Sequence, residues 1–378
     1  MKHVVFVLRD QCVGGFTSAL SSLYDAIKDD YEVTVIQLTK MGNAIISYDD
    51  VVIKPWWLCD FYYSDFTLAY GLRKLGIGIV HAYAKFDKNF EKRISKHYTK
   101  ILSNADCVIA YGEGFASRFV QYINHPNKVA WLHYDVSHYP KSSEDELLYQ
   151  KFNAVVCVAD TIAKGMRKMY PTIEKKIFGI HNILDEHRIE LLSRDVVQEH
   201  FDAPINIISL GRFANVKRFP MIPRIAASLR DKGLKFKWWI LGPASDEVES
   251  SKLKQEIAQY NVDDCVEWIG NRTNPYPYIA LSDVLVSTSI TEACPMIFTE
   301  ARILKKPIVS ADFLTASEFI ENGVDGCITP LEMMADCIYN LFSEHSKLES
   351  IKRASSERGS GNEETLNRFC NLVNCTNV

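Results

Sequence analysis

Short apolar runs rich in Val and Ile alternate with amphipathic stretches along the whole chain. Runs at residues 4–8, 33–38, 77–82, 107–111, 129–133 and 154–158 predict a first series of strands. A second series follows at 205–210, 236–241, 265–269, 284–287 and 308–310. Most of these runs are apolar on both faces, as strands covered by helices on both sides require. Strand–helix alternation of this kind implies parallel sheets with right-handed crossovers, so the pattern predicts an α/β fold. Polar and charged residues dominate between the two series, including Asp185-Glu186-His187-Arg188 and Ser193-Arg194-Asp195. The reading is two doubly wound Rossmann-like domains, 1–180 and 204–345, joined by a linker at 181–203. A C-terminal helical segment, 346–378, is a candidate to return to the N-terminal domain.

Length and composition fit this division. The 378 residues are 47% hydrophobic and 24% charged, as in an ordinary soluble protein of two domains. Forty-three Lys plus Arg against 47 Asp plus Glu give a net charge of −4, which argues against a nucleic-acid-binding protein. No apolar window is long enough to span a bilayer, and the first apolar run is too short for a signal peptide. The ten cysteines include no Cys-x-x-Cys pair and read as reduced thiols, so the sequons at Asn271 and Asn374 carry no weight. A cytoplasmic protein is the expectation.

In open α/β sheets ligands sit beyond the carboxyl ends of strands, where helix N-termini offer free amides. Three such places hold chemistry. Gly14-Gly15 follows the first strand, but no G-x-G-x-x-G or Walker sequence accompanies it. Gly211-Arg212-Phe213-Ala214-Asn215-Val216-Lys217 follows the run at 205–210 and carries two cations five residues apart. Both could reach one diphosphate, or both could be solvated surface charges. The third stretch, residues 291–301, runs Thr-Glu-Ala-Cys-Pro-Met-Ile-Phe-Thr-Glu-Ala. Pro295 suits the first position of a helix, leaving the amides of Met296 and Ile297 as orphan donors for an anion. Glu292 projects at the mouth of that anion site, and Glu300 is placed to accept from vicinal ribose hydroxyls. Acids that merely complement a helix dipole are the competing reading.

Glu292-x7-Glu300, with Gly211-Arg212-x4-Lys217 upstream, resembles the family-4 retaining glycosyltransferases of GT-B fold, of the bacterial surface-polysaccharide type. Residues 177–185, Lys306-Pro307-Ile308-Val309-Ser310 and Glu318-x3-Asn322-Gly323-Val324-Asp325-Gly326 resemble later family landmarks in the same order. The resemblance covers most of 155–330; the N-terminal half matches only through Gly14-Gly15 and Trp131-Leu132-His133-Tyr134-Asp135. It implies two domains facing across a cleft and transfer of a sugar from a nucleotide donor, UDP-linked in this reading. Arg212 and Lys217 would bind the diphosphate, and Glu300 the ribose. Glu292, Pro295, Met296 and Ile297 would face the transferred sugar, with His133 beside it. Gly14 and Gly15 would lie against donor and acceptor, and Asn271-Arg272 near the base. Two departures stand out: Ala293-Cys294-Pro295-Met296 replaces a glycine-rich turn, and Gly242-Pro243-Ala244 lacks a second glycine.

The chain has no Asp-x-Asp and no zinc-spaced His/Cys cluster, so no metal and no cofactor is expected. Cations and a helix N-terminus would then stabilise the leaving diphosphate in a front-face retaining transfer. Glu292 as a covalent nucleophile and His133 as a core residue are the alternatives at those positions. A GT-B sugar-nucleotide epimerase and a non-catalytic binding protein compete at the level of function; retention of Arg212, Lys217, Glu292 and Glu300 favours the transferase. The acceptor, a saccharide or lipid-linked saccharide, has no motif of its own. Aromatic residues at Pro55-Trp56-Trp57-Leu58 and Phe61-Tyr62-Tyr63 stack on sugars, line a lipid path or fill a core. On a helix over 86–102, Lys88, Lys92, Lys96 and Lys100 form a row opposite Phe90, Ile94, Tyr98 and Ile101. That row is either a solvated face or a contact for anionic lipid at the inner face of a membrane.

Overall fold

The apolar runs that fall among the described residues become parallel strands in two separate sheets. The structure, a computed structural model, describes residues 1–9, 14–38, 52–53, 92, 95–135 and 141–374. The chain divides into two units, one of residues 1–183 with 362–378 and the other of residues 184–361.

The first unit contains β1 (Lys2–Leu8), β2 (Tyr31–Gln37), β3 (Val52–Ile53), β4 (Cys107–Tyr111), β5 (Lys128–Leu132), β6 (Ala154–Cys157) and β7 (Ile177–Gly179). Their order is β3-β2-β1-β4-β5-β6-β7 and every pairing is parallel. Val4 of β1 registers with Val33 on one side and Cys107 on the other, so β1 is flanked by neighbours and buried from Val4 to Leu8. The helix Asn362–Asn374 belongs to this unit. Its Phe369 stacks on Phe6 at 6.4 Å, and its Arg368 Nη1 donates to Asp160 Oδ2 at 2.7 Å and to the Gly179 carbonyl at 3.1 Å.

The second unit contains β8 (Asn206–Leu210), β9 (Lys237–Leu241), β10 (Val266–Gly270), β11 (Val284–Ser287), β12 (Ile308–Ala311) and β13 (Cys327–Thr329). The order is β10-β9-β8-β11-β12-β13, again all parallel. Its core is built on Ile207, Trp238, Ile240, Val286 and Val309 from the sheet, with Ile222, Leu229, Leu253 and Ile338 from covering helices. In each sheet the chain returns to the opposite side of the first strand, between β1 and β4 and between β8 and β11. These are the switch points at which α/β sheets open a crevice for ligands.

The structure differs from the sequence expectation in three places. Residues 184–203 are part of the second unit rather than a linker. Asp185 caps the helix Glu186–Leu192 by accepting from Arg188 N–H at 2.9 Å, and Leu184 and Ile189 pack against Ile303. The helix buries one side chain, Ile189, which is why its sequence reads as polar. Residues 346–361 also belong to the second unit, most of them in the helix His345–Arg358, so only the final helix returns to the first. β7 and β13 are three-residue strands, too short to register as periodic runs. The run at 77–82, the aromatic cluster at 55–63 and Lys88 lie outside the described residues. Lys92 and Lys96 are exposed and Tyr98 is buried, in a 3₁₀ turn, Lys96–Tyr98, that runs into the short helix Thr99–Leu102; Phe90, Ile94 and the side chains of Lys100 and Ile101 are not among those described. No helix among the described residues is long and apolar enough to cross a membrane.

Candidate functional site

The two candidate loops of the second unit leave adjacent strands at its switch point. After β8, Gly211 takes a φ of 146°, and after β9, Gly242 takes a φ of 155°. The two backbones are so close that a Cβ on Gly242 would stand 1.8 Å from the Gly211 carbonyl oxygen. Arg212 is then exposed, and the chain turns through a short 3₁₀ segment, Asn215–Lys217. Arg218 closes that turn in the left-handed region at φ 51°.

The loop after β11 is fastened to this turn by backbone and side chain together. Ile290 N–H donates to the Val216 carbonyl at 2.7 Å, and Thr288 Oγ1 donates to the Lys217 carbonyl at 2.6 Å. Arg218 Nε donates to the Thr288 carbonyl at 2.7 Å and its Nη2 to the Ser289 carbonyl at 3.0 Å. Across this seam Lys217 Nζ donates to Glu292 Oε1 at 2.5 Å, with only 18% and 17% of the two side chains exposed. Ser289 Oγ donates to the same carboxylate oxygen at 2.7 Å, and Thr315 Oγ1 donates to the Glu292 carbonyl at 2.7 Å.

Helix Met296–Ile303 starts four residues beyond Glu292. Pro295 is its N-cap rather than its first helical residue, with ψ 87°. This non-helical proline ends the loop and leaves Met296 and Ile297 as the first two helical positions. Their amides precede the first hydrogen-bonded turn, which begins with Phe298 N–H donating to the Pro295 carbonyl at 2.9 Å. Such amides, with the helix dipole, favour an anion. Glu300, on the same helix, is half-buried; desolvation raises its pKa to about 7, and the Lys217 charge offsets part of that rise. Lys217, Glu292, Glu300 and the helix start are therefore one electrostatic group.

Arg272 is not part of that group. It follows β10, two strands from β8, and its Nη2 pairs with Glu199 while its Nε donates to Tyr278 Oη at 2.9 Å. Tyr278 in turn donates to Glu199 Oε2 at 2.8 Å, so the charge expected near the base is already compensated. Asn271 sits beside it, its carbonyl accepting from Arg272 Nη1 at 3.1 Å. The remaining candidates lie in the first unit. Gly14 caps and Gly15 starts the helix Gly15–Ile27, and both are exposed at the β1 end of the switch point. His133 follows β5, its ring 4.4 Å from Tyr111 and 4.8 Å from Phe16 between centroids. Its Nε2 is buried without a hydrogen-bond partner among the described residues, and burial lowers its pKa to about 3. The ring is a neutral imidazole.

Sequence reasoning missed Arg218 and Thr315, whose partners lie in distant loops, and Ser289, which reaches Glu292 within its own loop; one signal, a cation directly after Lys217, was present. Residues 204–344 match the family model described as glycosyl transferases group 1. That stretch of the chain is similar to the glycosyltransferase sequences the family model describes. EpsF of Bacillus subtilis is 25% identical over 172 residues, 44% of this chain and 43% of its own. The lipopolysaccharide core biosynthesis glycosyltransferase LpsE of Rhizobium meliloti is 23% identical over 214 residues, 56% of this chain and 59% of its own. The chain thus spans about half the length of the relatives it matches in sequence. Among solved structures, a glycosyltransferase of Rickettsia africae superposes with a TM-score of 0.75 at 16% identity, covering 99% of this chain and 98% of that one. TarM of Staphylococcus aureus, whose structure holds UDP, gives 0.73 at 15% identity over 99% of this chain and all of its own. The likeness spans both units of the chain and shows the GT-B fold.

Proposed function

We propose that this chain is a retaining, metal-independent glycosyltransferase that moves a sugar from a nucleotide donor, UDP-linked, to a saccharide or lipid-linked saccharide in surface-polysaccharide or glycolipid assembly. The observation that carries this reading is the junction of Lys217, Glu292, Glu300 and an amide-bearing helix start at one switch point. UDP in the TarM structure and lipopolysaccharide core biosynthesis in the name of LpsE support the donor and pathway class.

In the reaction the bond between the anomeric carbon and the diphosphate oxygen breaks, and the acceptor oxygen bonds to the same face of that carbon. Negative charge grows on the departing phosphate. Lys217 and exposed Arg212 are placed to neutralise it, with the amides of Met296 and Ile297, and such preorganised donors replace a metal ion. The departing phosphate oxygen takes the acceptor proton. Glu300 accepts from the ribose, and Glu292 accepts from the sugar hydroxyls, which fixes the anomeric carbon. His133, neutral, acts by hydrogen bonding through Nε2 rather than by charge. Arg272 is a weaker candidate because Glu199 already holds it.

A panel of nucleotide sugars offered to the purified protein tests this, read as release of nucleoside diphosphate with and without saccharide acceptors. Lys217→Ala and Glu300→Ala should each weaken nucleotide binding by about 1.5–3 kcal/mol, the value of a charge-assisted contact. Turnover should survive a chelator. Unchanged affinity for the nucleoside diphosphate in either folded variant rejects the assignment. Peripheral membrane association rests on the exposed Lys92 and Lys96 and the row they continue. Sedimentation with anionic vesicles should fall with salt and with replacement of all four lysines by glutamate; equal sedimentation reduces the row to a solvated face.

A further inference from the structure

The cation placed to meet a diphosphate is already occupied by one of the protein's own carboxylates. Lys217 Nζ and Glu292 Oε1 lie 2.5 Å apart, and both side chains are more than four-fifths withdrawn from solvent. The carboxylate is held there by Ser289 Oγ at 2.7 Å, and the backbones bearing the two charges are pinned by Thr288 and Thr315. Glu292 therefore stands where a phosphate oxygen would otherwise contact the lysine.

We propose that Glu292 competes with the diphosphate for Lys217 and thereby discriminates the nucleotide-sugar donor from the spent nucleoside diphosphate. This rests on the donor-site reading above. A phosphate arriving at Lys217 brings a like charge beside Glu292, and like charges at such separations repel by amounts that matter in a partly desolvated site. With the donor bound, the sugar hydroxyls give the displaced carboxylate new hydrogen-bond donors. With the nucleoside diphosphate bound, those hydroxyls are gone. The terminal phosphate also carries an extra ionisable oxygen, so the repulsion is larger. Glu292 then favours its bond to Lys217, which expels the product. The residue that orients the sugar also clears the site after transfer.

Calorimetric titration of the full chain with UDP, UDP-glucose and UDP-N-acetylglucosamine tests the proposal on wild type, Glu292→Gln and Lys217→Ala. Glu292→Gln keeps the shape of the side chain and removes its charge. It should bind UDP roughly tenfold more tightly, the equivalent of about 1.4 kcal/mol. The better of the two nucleotide sugars should bind it no more tightly than it binds wild type. A folded Glu292→Ala must shift in the same direction, and Ser289→Ala should do so by a smaller factor. UDP affinity unchanged or weakened in both Glu292 variants overturns the proposal. If Lys217→Ala at the same time weakens UDP binding, the donor-site reading stands and only the competition fails. If neither wild type nor any variant binds a nucleotide, both fall.

Discussion

Gly242 approaches Gly211 so closely that a single added methyl group would overlap the Gly211 carbonyl, at 1.8 Å from its oxygen. The contact joins the ends of β9 and β8, and Gly242 N–H also donates to the Gly270 carbonyl at 2.9 Å. Three strand ends are thus clamped directly beneath the loop that carries Arg212 and Lys217. The obstacle is backbone, which cannot rotate away as a side chain can. Gly242→Ala should therefore cost about 3 kcal/mol or more in stability, the upper range for an overpacked site. It should also weaken nucleotide binding by moving Lys217. Thermal unfolding and UDP titration check this together, and a variant with wild-type melting and binding would show that the clamp yields.

Arg218 gives the second prediction. It holds a left-handed conformation that a side-chain-bearing residue adopts at a cost, and it donates to the carbonyls of Thr288 and Ser289. The strain is retained because the guanidinium ties the Lys217 turn to the Glu292 loop, so it acts as a positioning residue. Arg218→Gly relieves the backbone while removing the tie. Stability should change by less than about 1 kcal/mol as relief and loss offset each other. The turnover number should nevertheless fall at least tenfold with a smaller change in KM, and Arg218→Lys should restore part of it. Wild-type turnover in Arg218→Gly would assign the residue to local folding alone.

Glu300 gives a pH dependence whose sign is fixed. Its folded pKa, about 7, lies above the ordinary 4.5 because the carboxylate is desolvated. The cost of ionising it in the fold is absent below 4.5, grows as pH rises to 7 and is constant above that. Glu300→Gln should thus be more stable than wild type at pH 8, by up to about 3 kcal/mol, with the difference vanishing near pH 4.5. Ligand binding should run the other way. A nucleotide sugar has no phosphate ionisation in this range, so wild-type affinity should climb through pH 7 as Glu300 becomes a full acceptor. Glu300→Gln should bind weakly and without that slope. Melting curves and titrations at pH 5, 7 and 8 measure both.

How much of this was legible depends on how local each feature is. The central strands follow from β-branched runs such as Val4-Val5-Phe6-Val7-Leu8, whose burial on both faces is written into composition. β7 and β13 take their strand character from neighbours, Val155 to Ile177 and Val309 to Cys327, which a three-residue window does not reveal. Lys217, Glu292 and Glu300 were legible because each sits directly after a strand or on the helix that follows it. The Glu199–Arg272–Tyr278 group was not, since Glu199 lies 73 residues away in a stretch that reads as linker. Pro295 was placed one position too far into its helix, because sequence signals a proline near a helix start without fixing its ψ.

His133 supports the last prediction. Its ring stands between Phe16 and Tyr111, and burial holds its pKa near 3, well below the ordinary 6.5. In the unfolded chain the same imidazole takes a proton near 6.5. The contribution of keeping it neutral is therefore intact above 6.5 and is lost as pH falls from there toward 3. At pH 5 the loss should reach up to about 2 kcal/mol. His133→Phe keeps an aromatic ring against Phe16 and Tyr111 and should abolish that part of the acid sensitivity, so its melting temperature should exceed that of wild type increasingly below pH 6. The ring signals of His133 in a histidine-labelled sample should show no titration between pH 5 and 8. Over the same interval transfer activity should show no limb that disappears in His133→Phe, because a neutral ring offers Nε2 as a hydrogen-bonding atom and no charge. A His133 resonance titrating near pH 6.5 would instead place the ring in water and return it to the candidates for acid–base work.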